Sequence, residues 1–431
     1  MKKLTVNEII KNEGIMLHKN KINLIIAPAG SGKTYYIFNM LLNPSEQSVY
    51  LCDTSNLREM VLKDDEIRHM VMSVEPDFEK IQERGFKLDK FNCTVMTYAK
   101  WYYEKDKLEY ANIKTIVCDE IHNLYKYKDK FDDKEKEITN YADVIKDIHL
   151  KAKNGIQVVG FTATHDRIKR ELPESIATKI DEEYMLSGDM DWNIINLSIR
   201  KDIKRLKSDF TFFFNNYRNL GHYLKAYNGF KYGKKALIYT NRITECKDMI
   251  NICEAVGLSS IALWSTNNTN NPLNKEQEAV RNSIITTGLI PSPYQVLIIN
   301  GAYETGINIK DEDIEIMICN DIQTDTQIQS RSRIRKDIKA EIFKAKNCID
   351  DIRISVPEVY LDRPLTAKDK RELCKIVNVY GEMKSILKWT SIKQIVINSG
   401  YEVKDGTIRI NKKRTRIDTI IDSDSSKRIF E

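Results

Sequence analysis

Leu24-Ile-Ile-Ala-Pro-Ala-Gly-Ser-Gly-Lys-Thr34 decides how the rest of the chain is read. Its apolar opening, Leu24–Ala27, is short and closed off by a Gly-containing turn, the pattern of a buried strand. From Ala27 to Thr34 the turn fills the phosphate-loop template G-x-x-x-x-G-K-[ST], with Ala27 in place of the first glycine. Gly30 and Gly32 let backbone amides curl around a phosphate where a Cβ would intrude. Ala29, Gly30, Ser31 and Gly32 supply that cradle, and a helix starting near Lys33 adds its positive N-terminal end. The Lys33 ammonium would reach the β- and γ-phosphates, and the Thr34 hydroxyl would hold Mg²⁺. An ordinary strand-to-helix turn needs the glycines but not the Lys-Thr pair. The stretch therefore predicts a nucleoside-triphosphate site, with ATP as the expected ligand.

A length of 431 residues exceeds one ordinary domain and suggests about three. An apolar fraction of 42% supports real cores, while a net charge of +6 is only a modest hint of a polyanionic partner. Where the positive charge sits matters more than its sum. None of the eight cysteines falls in C-x-x-C spacing, and several lie inside apolar runs, which argues against zinc and a disulfide framework and favours free thiols. The opening Met1-Lys-Lys-Leu-Thr-Val-Asn-Glu8 lacks the apolar core of a signal peptide, and no run of eighteen apolar residues occurs. A cytoplasmic protein without membrane contact is expected.

Outward from the phosphate loop, short runs rich in Val, Ile and Leu recur: Leu24–Ala27, Ser48–Cys52, Cys93–Met96, Thr115–Cys118 and Gln157–Phe161. Longer helix-like segments separate them, the rhythm of parallel strands covered by helices on both faces. A second block repeats it with Ala236–Thr240, Ser260–Leu263, Val296–Asn300 and Ile314–Cys319. The predicted fold class is α/β, with two tandem lobes at 1–185 and 186–350 and a small α+β appendage at 351–431. Charged residues fill 125–137 evenly, as on a solvated helix or loop. The aromatic run from Phe212 to Tyr232 is assigned to core and not to base stacking. In the appendage, helices over Ala367–Leu387 and Trp389–Gly400, the latter capped by Thr390, precede strands at Thr407–Ile410 and Arg414–Ile417. Six of the thirteen residues from Lys404 to Arg416 are basic and one is acidic. A helix followed by a basic hairpin suits a winged-helix-like nucleic-acid-binding element through Lys412, Lys413 and Arg414; a purely packing role is the equal alternative.

Thr115-Ile-Val-Cys-Asp-Glu-Ile-His122 is the second constellation, an apolar strand ending in adjacent carboxylates 86 residues beyond Lys33. At the carboxyl end of a parallel strand such residues face the crevice into which the phosphate loop opens. Asp119 can hold Mg²⁺ and Glu120 can orient and deprotonate the attacking water, so Lys33, Asp119 and Glu120 are the catalytic candidates.

With these motifs the sequence resembles the DExH-box helicases and translocases of superfamily 2, over about residues 20–340. Phe161-Thr-Ala-Thr-His165 is similar to the family's T-A-T motif, and the resemblance implies that Thr164, and Thr97 in Thr94-Val-Met-Thr-Tyr98, meet nucleic acid. Ala236–Arg242 looks like the strand motif that opens the second lobe, and Asn300–Asn308 like the fifth motif, with Gly306 as a nucleotide contact. Gln327-Ile-Gln-Ser-Arg-Ser-Arg-Ile-Arg335 resembles the arginine-finger segment. Two registers fit: Gln327 with Arg331 and Arg333, or Gln329 with Arg333 and Arg335. What the resemblance implies is two RecA-like lobes that couple ATP hydrolysis to movement along a nucleic acid. No Gln precedes the phosphate loop, the first being Gln47, which argues against the DEAD-box branch. With the basic appendage, that absence leans towards DNA over RNA. An ATP-gated clamp that binds without unwinding is the competing reading. The Ile-, Lys- and Asn-rich composition suggests an A+T-rich bacterial or phage genome. Protein partners in replication, recombination or phage-related processes are expected.

Overall fold

The computed structural model describes residues 3–53, 55–72, 86–88, 90–132, 139–186, 191–214, 216–266, 268–303, 307–345, 352–354, 356–380, 388–410 and 413–421. The chain divides into two compact units: Met1–Leu206, with the short segments Ile284–Gly288 and Thr305–Asn308, and the remainder from Lys207 to Glu431.

The first unit is built on an eight-stranded sheet. Its strands are β1 (Ile22–Ile26), β2 (Ser48–Cys52), β3 (Phe86–Leu88), β4 (Cys93–Thr97), β5 (Thr115–Cys118), β6 (Gln157–Thr162), β7 (Met185–Leu186) and β8 (Trp192–Asn196). Their order across the sheet is β3-β4-β2-β5-β6-β1-β8-β7. All pairings are parallel except those of the edge strands β3 and β7. Every residue of β1, β2, β5 and β8 is buried, as expected of central strands with both faces covered. Two hydrophobic clusters lie on the opposite faces, one around Ile25, Phe38, Tyr50 and Phe161, the other around Leu24, Leu51, Trp101 and Ile148. The polar exception in β1 is Asn23, whose amide reaches the Val158 carbonyl at 3.0 Å and accepts from Asn193 at 2.8 Å. Its hydrogen bonds replace the water that it loses on burial.

Because β8 pairs with β1 along its whole length, the first lobe extends beyond the boundary expected at 185. The charged segment after the acidic pair begins as a helix, His122–Phe131, with Tyr125 buried. Tyr127 and Phe131 form a ring cluster with Tyr141.

The second unit holds β9 (Ser208–Phe214), β10 (Lys235–Tyr239), β11 (Ser260–Leu263), β12 (Val296–Ile299), β13 (Ile314–Cys319), β14 (Ile338–Lys344) and β15 (Ile352–Ile354), in the order β11-β12-β10-β13-β14-β9-β15. Only β15 runs antiparallel to its neighbour. The aromatic run splits between β9 and the helix Leu220–Ala226. Phe212, Phe214, Tyr227 and Phe230 enter the core, while Tyr232 is exposed.

The appendage comprises helices Ala367–Tyr380 and Trp389–Asn398 and a three-stranded antiparallel sheet of β16 (Pro364–Leu365), β17 (Glu402–Ile410) and β18 (Lys413–Ile421), in the order β16-β18-β17. Lys388, and not Thr390, is the N-cap of the second helix, and Gly400 ends it at φ 87°. Leu365, Leu373, Ile392, Val396 and Ile420 share one core with Phe212 and Ile316 of the second sheet. The appendage thus shares its core with the second unit, and its described residues form no separate cluster.

Candidate active site

Three neighbouring parallel strands, β5, β6 and β1, bring the sequence-predicted groups of the first unit to one edge. The Thr162 carbonyl at the end of β6 accepts from Ala27 N at 2.9 Å, and Phe161 beside it accepts from Ile121 N at 3.0 Å. The strand between the phosphate loop and the acidic box therefore fixes both.

Within the loop Gly30 and Gly32 have φ of 75° and 90°, a conformation that side chains resist. A Cβ on Gly30 would also stand 2.9 Å from Leu206. Ser31 is buried and its hydroxyl donates to the Pro28 carbonyl at 2.7 Å. Lys33 Nζ donates to the carbonyls of Ala27 at 2.9 Å and Pro28 at 3.4 Å, so the ammonium rests within the curl of its own loop. Two segments strap the loop from outside: Val6 N donates to Ser31 O at 2.9 Å and Leu206 N to Ala29 O at 3.3 Å. The first belongs to helix Val6–Asn12, closed by a Thr5–Glu8 capping box. Thr34 sits in the first turn of the helix Lys33–Tyr36, which widens into a π-helical turn over Ile37–Leu41.

Asp119 and Glu120 are both buried at the end of β5. Glu120 has φ 48°, a left-handed conformation uncommon outside glycine and most frequent at functional sites. Burial, and then the charge of Glu120, push the Asp119 carboxyl up to about 6; the Tyr50 hydrogen bond and the Lys33 ammonium oppose this. Tyr50 donates its hydroxyl to Asp119 Oδ2, and Tyr98 donates to the Asp119 carbonyl at 2.9 Å. His122 Nδ1 lies 3.5 Å from Glu120 Oε2 and 2.9 Å from the Thr162 hydroxyl. That hydroxyl has one proton and donates it to the Thr164 carbonyl. Nδ1 must then carry a proton of its own and act as the donor.

Tyr50 and Tyr98 were not legible as site residues, since a tyrosine in a buried strand or helix reads as core. Thr34 and Asp119 offer hard oxygens of the kind Mg²⁺ takes, and a cation would relieve the repulsion between Asp119 and Glu120. Among the described residues no group of three or more His, Cys, Asp or Glu could hold an ion alone, so phosphate oxygens would complete the set.

Three expectations need correction. Thr164 is buried, with its Oγ1 shielded from solvent and lacking a hydrogen-bond partner, so it is no surface contact for a polynucleotide. Gln327 is buried and donates to the carbonyls of Asp321 at 2.7 Å and Lys344 at 2.9 Å, a packing role. Arg331 is likewise buried and donates to Ser208 Oγ at 3.0 Å and the carbonyls of Lys207 at 2.7 Å, Ile334 at 3.1 Å and Lys336 at 3.1 Å. With Gln327 and Arg331 both used structurally, the first register loses its active groups. Arg333, common to both registers, is also buried: it donates to the Gln329 carbonyl at 3.0 Å, to Gln329 Oε1 at 3.3 Å and to Ser332 Oγ at 2.6 Å. Arg335 is half-buried. Thr97 caps the helix Tyr98–Glu104 by accepting from Lys100 N at 3.2 Å and is half-buried. Arg414 is exposed; Gly306 and Lys412 lie outside the described residues, and of Lys413 only the backbone position is described.

The family model described as "Type III restriction enzyme, res subunit" matches residues 2–167. No curated protein matches this chain in sequence. Among solved structures, Mss116p bound to ssRNA and AMP-PNP is similar with a TM-score of 0.50 at 14% identity, over 92% of this chain and 85% of that one. S. cerevisiae Dbp5 bound to RNA and ADP BeF3 reaches 0.49 at 14% identity, over 87% and 89% of the two chains. Mycobacterium smegmatis helicase Lhr bound to ssDNA and AMP-PNP reaches 0.48 at 14% identity, over 96% of this chain and 57% of that one. The likeness to Mss116p is one of fold: two RecA-like lobes. Residues 2–167 thus match the res-subunit family model, and the chain is an ATP-hydrolysing enzyme with a fold of two RecA-like lobes.

Proposed function

We propose that this ATP-dependent nucleic-acid helicase works on DNA, with Lys33, Thr34, Asp119 and Glu120 as its hydrolytic centre. The observation that carries the reading is the shared strand edge. The phosphate loop ends β1, the acidic pair ends β5, and Thr162 on β6 is hydrogen-bonded to Ala27 of the loop and to His122 just after the pair. The loop amides of residues 29–32 hold the phosphates, and Lys33 leaves the Ala27 carbonyl for the β/γ-oxygens. Glu120 accepts the proton of the attacking water, with His122 Nδ1 3.5 Å from its carboxylate. Thr34 and Asp119 would hold Mg²⁺, which would neutralise charge on the transferred group. Arg333 and Arg335, the second register, supply further positive charge in the transition state, a contribution worth about 10³–10⁵ in rate where it has been measured. Gln329 positions Arg333, and Gly306 and Thr97 complete the nucleotide and strand contacts.

DNA is favoured by the res-subunit match, since restriction enzymes act on DNA, and by the absence of a Gln before the phosphate loop. The test is the ATPase rate with single-stranded DNA, duplex DNA, branched DNA and RNA in turn, followed by strand displacement on the best activator. Stimulation by DNA with displacement is the expected result. ATPase indifferent to every polynucleotide would overturn the motor, stimulation by RNA alone would overturn the DNA assignment, and stimulation without displacement would favour the clamp.

A further inference from the structure

The long ribbon β17–β18 carries two like-charged cross-strand pairs on one face. From base to tip, the register sets Asp405 opposite Asp418, Thr407 opposite Arg416, and Arg409 opposite Arg414. Like charges directly opposite each other destabilise a sheet. The acidic pair has its countercharge inside the fold. Lys393 Nζ lies 2.7 Å from Asp405 and 3.0 Å from Asp418, Lys370 also pairs with Asp418, and Trp389 Nε1 donates to Asp418 at 2.9 Å. Burial alone would raise the Asp418 carboxyl, yet the two ammonium groups outweigh it and hold Asp418 well below the usual range.

Arg414 and Arg416 are exposed, and among the described residues no carboxylate lies within 4 Å of either. From Gly406 to Ile417 the chain has five basic residues and no acidic one. The base of the ribbon is meanwhile anchored, with Ile420 in the core of the second unit and Val403 packed against it. An anchored prong with exposed arginines that no described carboxylate meets suits a polyanion from outside. No aromatic side chain occurs between Glu402 and Ile421, so the ribbon has nothing on which to stack a base. Arginine matches a phosphate with two parallel N–H donors, which suits a backbone contact.

We propose that the distal face of this ribbon, through Thr407, Arg409, Arg414 and Arg416, grips the sugar–phosphate backbone of the bound nucleic acid and reads charge, not sequence. This rests on the nucleic-acid reading above and adds to it the chemical group contacted and the face that contacts it.

The test is binding of the full chain to a partial duplex across a salt series, comparing wild type with R409Q/R414Q/R416Q. Losing three phosphate contacts flattens the slope of log K against log[salt] by about 2–3, given about 0.9 per duplex phosphate and 0.7 per single-strand phosphate. Unrelated duplex sequences should be affected alike. R409K/R414K/R416K keeps the charge and should keep most of the slope, with a melting temperature like that of the glutamine variant. An unchanged slope in the glutamine variant, while wild type binds, overturns the ribbon assignment and leaves the motor standing. Loss confined to one sequence overturns backbone reading. Polyglutamate competing as well as DNA at equal charge overturns the nucleic-acid assignment of the ribbon. Wild type that binds no nucleic acid removes the motor reading itself, and the ribbon with it.

Discussion

His122 Nδ1 and the Thr162 hydroxyl stand 2.9 Å apart, joining the acidic box to the T-A-T segment through one shared proton. Because the same Nδ1 lies 3.5 Å from Glu120, a shift of Thr162 or Thr164 is felt at the proposed water-activating carboxylate. Thr162→Val keeps the shape and removes the hydroxyl, at a stability cost of about 1 kcal/mol. The expected outcome is near-normal ATP binding with loss of stimulation by polynucleotide. Stimulation equal to wild type would break the link.

Lys33→Ala removes the group that would leave the Ala27 carbonyl for the phosphates. Triphosphate affinity should fall and turnover drop by at least about 10²-fold, the order expected for one preorganised electrostatic contact. Glu120→Gln keeps the hydrogen-bonding shape, so it should bind ATP normally and hydrolyse it poorly. Nucleotide binding measured beside single-turnover hydrolysis separates the two variants.

The raised Asp119 carboxyl has a stability consequence whose sign is fixed. A folded value of about 6 against an ordinary 3.8 means that the native state binds more protons between those limits. Stability therefore falls as pH rises through that window and levels off above it. Asp119→Asn removes the penalty. It should abolish hydrolysis yet stabilise the metal-free, nucleotide-free protein at pH 8 by about 1–2 kcal/mol, with no gain near pH 4. Denaturant midpoints at the two pH values check this. Tyr50→Phe, which removes a hydrogen bond to the ionised form, should move the acid limb of the ATPase profile to higher pH.

Arg331 and Arg335 should part company under substitution. Arg331→Ala leaves Ser208 and three backbone carbonyls without their donor and should destabilise the second unit by about 2–4 kcal/mol. Arg335→Ala should slow hydrolysis in protein that remains folded at the assay temperature. Hydrolysis at the wild-type rate in folded Arg335→Ala would count against the second register.

Strands were legible wherever a short run rich in Val, Ile or Leu stood between longer helix-like segments, and the site was legible where such a run ended in a chemically unusual turn. β1 with its Lys-Thr loop and β5 with its acid pair were readable because a hydrophobic run and a functional cluster coincided. β8 was missed since Trp192-Asn-Ile-Ile-Asn196 carries two asparagines, and only the amide pairing of Asn193 with Asn23 makes such a strand acceptable in a buried sheet. The arginine segment showed its residue types and not their partners. Sequence spacing cannot tell a guanidinium facing solvent from one wrapped around carbonyls at Lys207 and Lys336. Tyr50 and Tyr98 were invisible for a related reason, because their rings serve the core while only their hydroxyls reach Asp119.

The return of the chain through Trp192–Asn196 and on to Leu206 has a practical corollary for anyone dissecting the protein. A fragment stopped at 185 would strip one side of β1 of its hydrogen-bonded neighbour and take away the Leu206 methyls that back Gly30. Such a piece should precipitate or bind nucleotide feebly, whereas one carried through 206 keeps its central strand flanked on both sides.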